Sequence, residues 1–246
     1  MTGNKRIWKI IQWIGMQTLQ LLFPRRCPVC DEIVTPYGEK ICMECMRRLE
    51  LLTPPWCMKC GKKLHSDEGL CMDCKKKRHT YVRGRALYEY GSVSASVYRM
   101  KYGGRQEYAS YFGEEIARYL GEFITEVAPD GLIPIPLHKK RQRKRGFNQA
   151  ALLAKAIGEN MGVPVYDKML LRVKNTKPLK LQNPQERQNN LKKAFIIKQN
   201  DVKLDKVIII DDIYTTGSTI DEAARVLKAH GVQEVYFITL ACGSGV

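Results

Sequence analysis

The stretch Lys206 to Thr219, KVIIIDDIYTTGST, predicts the fold of the larger part of this chain. Four consecutive β-branched residues, Val207 to Ile210, are typical of a strand that is buried on both faces. A hydroxyl-rich loop follows the strand, and apolar residues at helical spacing then continue to Gly231, where a helix would end. The order of strand, loop and helix predicts a doubly wound α/β domain with a parallel sheet.

The loop after this strand has the composition of a phosphate site. In parallel α/β sheets, ligands bind beyond the carboxyl ends of the strands, where the next helix presents free N–H groups. Hydroxyl side chains and a glycine suit close approach to a phosphate. Asp211 and Asp212 precede the loop, and their carboxylates suit the hydroxyls of a sugar. Because adjacent carboxylates repel each other, a purely structural pair would be unfavourable unless both faced solvent or a cation. A solvated strand end with a turn behind it is the alternative interpretation.

The segment VIIIDDIYTTGST resembles the phosphoribosyl-pyrophosphate signature of the type I phosphoribosyltransferases. In that family the paired acids hold the ribose 2′- and 3′-hydroxyls, the following loop holds the 5′-phosphate, and Mg²⁺ accompanies the bound ligand. The resemblance therefore assigns the ribose to Asp211 and Asp212, and the phosphate to Thr215, Thr216, Gly217, Ser218 and Thr219.

A second stretch, LIPIPLHKKRQRKRGFNQA at residues 132–150, resembles the ComF family of competence proteins. Members of that family join a transferase-like domain to an amino-terminal module rich in cysteine. Residues 145–149, RGFNQ, are the most typical of the family. A short loop in this place takes the pyrophosphate in the transferases, and the resemblance assigns that loop to Ile135, Pro136, Leu137, His138 and Lys139.

The charge of the chain indicates a polyanionic or phosphorylated ligand. Lys and Arg number 41 against 25 Asp and Glu, which gives a net charge of +16. A basic excess of this kind attracts nucleic acid. The densest basic run is the predicted nucleic-acid contact, with a solvated loop as the alternative. It consists of Lys139, Lys140, Arg141, Arg143, Lys144 and Arg145.

Eight cysteines form four C-x-x-C pairs with 11, 11 and 10 residues between successive pairs. Thiolates spaced in this way bind structural zinc, and eight of them predict two closed four-cysteine sites. Disulfides are the rival interpretation, which the lack of a secretory signal disfavours. Sequential and interleaved groupings of the pairs both remain open. The pairs are Cys27 and Cys30, Cys42 and Cys45, Cys57 and Cys60, and Cys71 and Cys74.

Residues 7–23 predict an amphipathic helix that is too short and too polar to cross a membrane. It would pack on the protein or on a partner, or contact a membrane surface through Trp8 and Trp13. We therefore expect a cytoplasmic protein, with peripheral membrane contact as the alternative. The predicted domains are an N-terminal helix at 1–24, a double zinc ribbon at 25–80 and a transferase-like domain at 81–246.

Two further groups of residues have two interpretations each. Tyrosines among basic residues either stack bases or pack in the core; they are Tyr98, Tyr102, Tyr108, Tyr111 and Tyr119. The polar segment before the Asp211 strand is either a loop that covers the ligand or an ordinary connection. Its candidate residues are Arg172, Lys174, Thr176, Gln182 and Arg187.

Cys242 has no partner and is interpreted as a small buried residue or a free thiol.

The first functional hypothesis is a ComF-family protein of DNA uptake that binds phosphoribosyl pyrophosphate, or a similar sugar phosphate, and single-stranded DNA. A DNA-uptake helicase is a further candidate partner by the same resemblance. The sequence contains no evident base-recognition hood and no evident nucleophile. An active phosphoribosyltransferase with an unidentified acceptor and a non-catalytic sensor of the sugar phosphate are therefore the alternatives.

Overall fold

The computed structural model of the protein describes residues 23–36, 38–173, 194–198 and 202–243. The helix predicted for 1–24 lies outside these ranges, apart from its last two residues. Four candidates for a covering loop also lie outside them, namely Lys174, Thr176, Gln182 and Arg187. The chain forms two compact units, residues 1–49 and residues 50–246.

The first unit is small and is built around cysteine side chains. Its one helix among the described residues is α1 (Met43–Arg47), and Arg26 pairs with Ile33 in an isolated antiparallel bridge. Cys27, Cys42 and Cys45 are buried together with Val34 and Ile41. Among the described residues of this unit the buried apolar side chains are few, so within that part of the chain the hydrophobic effect contributes little to stability.

The second unit begins with another cysteine-rich segment, which contains helix α2 (Met72–Lys76). An α/β domain follows. Its elements are β1 (Gly84–Glu89), α3 (Tyr90–Tyr102), α4 (Tyr108–Val127), β2 (Gly131–Pro134), α5 (Lys139–Arg145), α6 (Gln149–Met161), β3 (Leu170–Arg172), β4 (Phe195–Ile197), β5 (Lys206–Tyr214), α7 (Ser218–Ala229) and β6 (Glu234–Cys242).

The main sheet confirms the predicted parallel α/β fold. Its strand order is β1-β6-β5-β2, and every pairing is parallel. The β-branched run in β5 lies at the centre, where Val207 to Ile210 are fully buried. The sequence VPVY at residues 163–166 predicts a further strand, but these residues form only an isolated bridge between Val165 and Leu132.

Helices cover both faces of this sheet. On one face, Val207, Ile209 and Phe237 share a core with the buried side of α7. The short antiparallel pair of β3 and β4 adds Leu170 and Phe195 to the same core. The other face is covered by α4 and α6. The sheet is therefore sandwiched between two helical layers, as the pattern of a doubly wound fold predicts.

The sequence from RKRGFNQA onward predicts one helix from Arg143 to Met161, but the chain forms two helices here. Gly146 ends α5 in the left-handed region with a φ of 86°, and the Asn148 side chain then accepts a hydrogen bond from the Ala150 N–H at 3.2 Å. These are ordinary C-terminal and N-terminal helix signals. The basic run thus forms a separate short helix instead of a loop. Among the described residues, no helix combines the length and apolar character that crossing a bilayer requires.

Candidate functional site

A cavity of about 330 Å³ opens at the carboxyl ends of β2 and β5. It is lined by all seven residues predicted to hold the ribose and the phosphate, Asp211, Asp212 and Thr215 to Thr219. Ile135 and Leu137 of the predicted pyrophosphate loop also line it, whereas Pro136, His138 and Lys139 do not. The parallel topology explains this convergence, because neighbouring parallel strands end at the same edge of the sheet.

The loop from Thr215 to Thr219 is shaped by its glycine. Gly217 has a φ of 72° and directly precedes α7, and a Cβ atom built on it would lie 2.6 Å from the Tyr214 hydroxyl. A side chain at this position would therefore be strained and would clash. The hydroxyls of Thr216 and Ser218 lie 3.0 Å apart. Together with the N–H groups at the start of α7, they form a donor-rich turn that suits a phosphate.

The two aspartates have different surroundings. Asp212 is buried, and its Oδ2 accepts hydrogen bonds from Lys101 Nζ at 2.8 Å and from Gln149 Nε2 at 2.5 Å. Asp211 accepts a hydrogen bond only from the Asp212 backbone N–H, at 2.8 Å, among the described contacts. Burial and the neighbouring Asp212 carboxylate raise the pKa of Asp211 to about 7. Asp211 is therefore the acid whose charge a bound ligand or cation would stabilise most.

The RGFNQ segment supports this acid pair. Arg145 donates a hydrogen bond to Gln149 Oε1, and Gln149 in turn bonds to Asp212. Asn148 donates to the Ile135 carbonyl at 2.9 Å while it caps α6. The residues most typical of the family thus tie α6 to the ends of β2 and β5. Sequence reasoning missed Lys101 altogether, and for Gln149 the only signal was the family resemblance.

The basic run divides between the cavity and the solvent. Arg141 and Arg145 line the cavity, whereas Lys139, Lys140, Arg143 and Lys144 are exposed. Among the described residues, the four exposed cations form no ion pair. Burial lowers the pKa of Arg145, although the nearby Asp212 carboxylate favours its charged form. One short helix therefore supplies positive charge both inside the cavity and on the adjoining surface.

Both cysteine clusters have the geometry of a four-thiolate metal site. Cys27, Cys30, Cys42 and Cys45 bring their sulfur atoms within 4.8 Å of one another, and Cys57, Cys60, Cys71 and Cys74 do the same. Tetrahedral zinc with bonds of about 2.3 Å separates its sulfur ligands by about 3.8 Å. The Sγ atoms of Cys60 and Cys71 lie 3.6 Å apart, and all nine cysteines are free thiols. The residues fit structural zinc, and the grouping is sequential.

The second cluster lies against the strand that leads to the phosphate loop. The hydroxyl of Tyr81 lies 2.7 Å from that of Tyr214, and the Tyr214 ring stacks on Phe237 at 4.9 Å. Cys57 and Cys60 are fully buried in the same core as these rings. The residues around the second cluster therefore support the base of the loop.

Asp221, in the first turn of α7, bonds to the connector that follows the second cluster. Its carboxylate lies 2.7 Å from Lys77 Nζ and 2.8 Å from His79 Nδ1, and it accepts a hydrogen bond from the Thr80 N–H at 3.0 Å. Burial opposes the charge of Asp221, but the hydrogen bonds from His79 and Lys77 outweigh it and leave its pKa below the ordinary value. The start of α7 is thereby anchored to this connector.

Cys242, the unpaired cysteine, is buried at the end of β6. Burial raises the pKa of its thiol to about 12. It therefore stays protonated at neutral pH, and both features expected of it, burial and a free thiol, are confirmed.

Comparison with known proteins finds a match to two domain families. Residues 18–75 match the double zinc ribbon domain, and residues 145–244 match the phosphoribosyl transferase domain. Competence protein F of Haemophilus influenzae is 27% identical over 229 residues, which cover 89% of this chain and 97% of that protein. DNA utilization protein YhgH of Escherichia coli K12 is 26% identical over 226 residues, which cover 87% of this chain and 96% of that protein.

Competence protein ComFC of Bacillus subtilis is 32% identical over 204 residues, which cover 78% of this chain and 80% of that protein. The resemblance carried by the Asp211 strand and by RGFNQ thus extends over both domains. With a double zinc ribbon ahead of a transferase domain and this degree of identity, the chain belongs to the ComF family of competence proteins.

Proposed function

We propose that this protein handles single-stranded DNA during DNA uptake and that its transferase-like domain binds phosphoribosyl pyrophosphate or a similar sugar phosphate with Mg²⁺. One observation carries the sugar-phosphate part. Seven residues to which the family resemblance assigns the ribose and the phosphate line a single cavity at the carboxyl ends of parallel strands. Relatives named as competence and DNA utilization proteins support the DNA part.

The chemistry of the cavity supports this ligand class. Asp211 and Asp212 offer carboxylate oxygens to the two ribose hydroxyls, and the turn at Thr216 to Ser218 offers donors to the 5′-phosphate. Arg141 and Arg145 also line the cavity and offer positive charge to a pyrophosphate group. Mg²⁺ would bind with the pyrophosphate, because this ion commonly uses phosphate oxygens and water as ligands.

Phosphoribosyl transfer is a second candidate function, because the residues that resemble the transferase signature line the cavity and the chain matches the phosphoribosyl transferase domain. The raised pKa of Asp211, which burial and the Asp212 carboxylate cause, is compatible with a role in proton transfer. Transfer and simple binding differ in one product, since a transferase releases pyrophosphate when it meets its acceptor. A pyrophosphate release assay with candidate acceptors therefore separates an enzyme from a protein that only binds.

The test of the proposed binding function is a calorimetric titration with phosphoribosyl pyrophosphate and Mg²⁺. In the double variant Asp211→Asn/Asp212→Asn, two charge-assisted acceptors are lost while the side-chain shape is kept. Each such bond is worth roughly 1.5 to 3 kcal/mol, so affinity should fall by about two to four orders of magnitude. The melting temperature of the double variant should fall, because Asp212→Asn breaks the buried pair with Lys101, so binding is measured well below that temperature. Asp211→Asn alone removes a like-charge repulsion and should melt at the parent's temperature or above it.

Asp167→Asn is the matched control, because Asp167 is exposed and lies outside the cavity. It should bind the sugar phosphate as the parent does. Normal binding by the double variant, or loss of binding that merely accompanies unfolding, would refute the assignment of ribose to the two aspartates.

A further inference from the structure

We propose that Tyr98 and Tyr102 of α3 form a stacking platform for a nucleobase of single-stranded DNA at the mouth of the cavity. This inference rests on the proposed DNA-binding function and names the residues that would contact the bases. The two tyrosines would contact the bases of the strand, whereas the exposed cations of α5 would contact its phosphates.

Burial and position distinguish the five tyrosines for which base stacking and core packing were the two interpretations. Tyr108 and Tyr111 are buried in the core, so core packing is the correct interpretation for them. Tyr98 and Tyr102 are 60% and 64% exposed, and both line the cavity. Tyr119 is also exposed but lies outside the cavity. Only Tyr98 and Tyr102 therefore combine an exposed aromatic face with the candidate site.

The geometry of the pair suits stacking. The two residues are four positions apart on one helix, and therefore lie on the same face of α3. Their ring centroids are 5.1 Å apart, and the rings are tilted by 50°. Because large aromatic side chains usually bury their faces, two neighbouring exposed rings at a cavity mouth suit a flat apolar ligand.

The surrounding charge indicates that this ligand carries phosphates. The Arg145 guanidinium lies over the Tyr102 ring, 5.4 Å from its centroid. Lys101 and Arg141 line the same cavity, and the exposed cations of α5 adjoin it. Aromatic faces beside a basic groove are the arrangement by which proteins bind single strands without strong sequence preference. In a duplex the base faces are already stacked, which favours a single strand as the occupant.

Lys101 connects the platform to the acid pair. It lies between the two tyrosines in sequence, and its Nζ bonds to Asp212 at 2.8 Å. A base on Tyr98 and Tyr102 would therefore lie beside the predicted sugar-phosphate site, at the edge of the same cavity.

The experiment compares an oligothymidylate strand with an abasic strand of equal length, each carrying a fluorescent label, by anisotropy at constant salt. The parent should bind the base-bearing strand more tightly. Because stacking one base is worth about 1 to 3 kcal/mol, Tyr98→Leu/Tyr102→Leu should weaken its binding about 5- to 150-fold. Binding of the abasic strand should be unchanged, since it depends on the phosphates.

Two controls make this result specific. Tyr98→Phe/Tyr102→Phe retains both aromatic faces and should bind as the parent does. Tyr119→Leu removes another exposed tyrosine that has a guanidinium over its ring, that of Arg118 at 5.3 Å, and should also have no effect. Thermal melting of each variant checks that α3 still folds.

Equal affinity of the parent and the double Leu variant for the oligothymidylate would overturn the platform. Equal weakening of both strands would also overturn it, because the effect would then not involve bases. If the parent bound neither strand, both the platform and the DNA part of the proposed function would fail. The sugar-phosphate titration would still report separately on the cavity.

Discussion

The two cysteine clusters have nearly the same spacing but different surroundings. In the described part of the first unit, Cys27, Cys42 and Cys45 are buried together with Val34 and Ile41. In the second unit, Cys57 and Cys60 belong to the hydrophobic core of the transferase-like domain itself. The same motif therefore has two structural roles. The first cluster stabilises a small unit of its own, and the second supports the fold that carries the candidate site.

The largest expected effect comes from Cys57→Ser compared with Cys27→Ser. Each variant should lose one of two zinc ions, because three thiolates make an incomplete tetrahedral site. Cys57→Ser should also lower the stability of the larger unit by several kcal/mol, since metal binding contributes directly to folding. Cys27→Ser should leave that unit unchanged.

Elemental analysis and differential scanning calorimetry check both parts of this prediction. A protein without zinc would contradict the metal assignment. If the larger unit melted at the same temperature in both variants, the two clusters would not differ in their contribution to its stability.

A smaller effect is expected from Asp221→Asn, which disrupts the anchor between α7 and the connector. The partly buried carboxylate loses its charge-assisted bonds to Lys77 and His79, at a cost of about 3 kcal/mol. Chemical denaturation monitored by fluorescence measures the loss. Asp67→Asn is the control, since Asp67 is exposed in the same cysteine-rich segment.

The pH dependence of this difference gives an independent check. Because the folded pKa of Asp221 is depressed, its charge contributes fully to the stability of the folded protein above the ordinary aspartate pKa of about 3.9. This contribution is lost as the pH falls through the lower pKa of the folded state. The parent and Asp221→Asn should therefore differ most above about pH 5 and converge in more acidic solution. A difference that stayed constant down to the acid limit would show that the charge of Asp221 is not responsible.

The smallest effect should come from Tyr81→Phe. This change removes one hydroxyl of the Tyr81 and Tyr214 pair and leaves the other buried without that partner. The expected cost is about 1 to 2 kcal/mol. Tyr119→Phe, at an exposed position, should cost nothing measurable in the same denaturation experiment. If both variants were equally stable, the hydroxyl contact would add nothing to ring packing beneath the loop.

The sequence predicted the features that depend on neighbouring residues. The buried strand Val207 to Ile210, its loop and the helix behind it are all confirmed, because β-branched runs and helical periodicity are local signals. The two four-cysteine groups were also predicted from spacing. Their sequential grouping was not, because the gaps of 11, 11 and 10 residues allow either arrangement.

Contacts between distant residues could not be predicted. Lys101 and Asp212 are far apart in the chain, and nothing in the sequence near either one indicates their ion pair. Cys57 and Cys60 likewise lie in one core with Phe237, which comes from the last strand. Burial also distinguished core packing from base stacking for the tyrosines. This burial results from the packing of helices against the rest of the domain, which a short stretch of sequence does not show. The ligand roles of the site residues stay predictions.

The bonds of Asp221 affect how this protein can be divided for study. A truncation at residue 81 would remove Lys77, His79 and Thr80 and leave the partly buried Asp221 carboxylate without these partners. It would also remove Cys57 and Cys60 from the core beneath the phosphate loop. A cut between residues 49 and 50 follows the boundary of the compact units instead. Domain exchange between relatives should therefore transfer the second cysteine cluster together with the transferase-like domain.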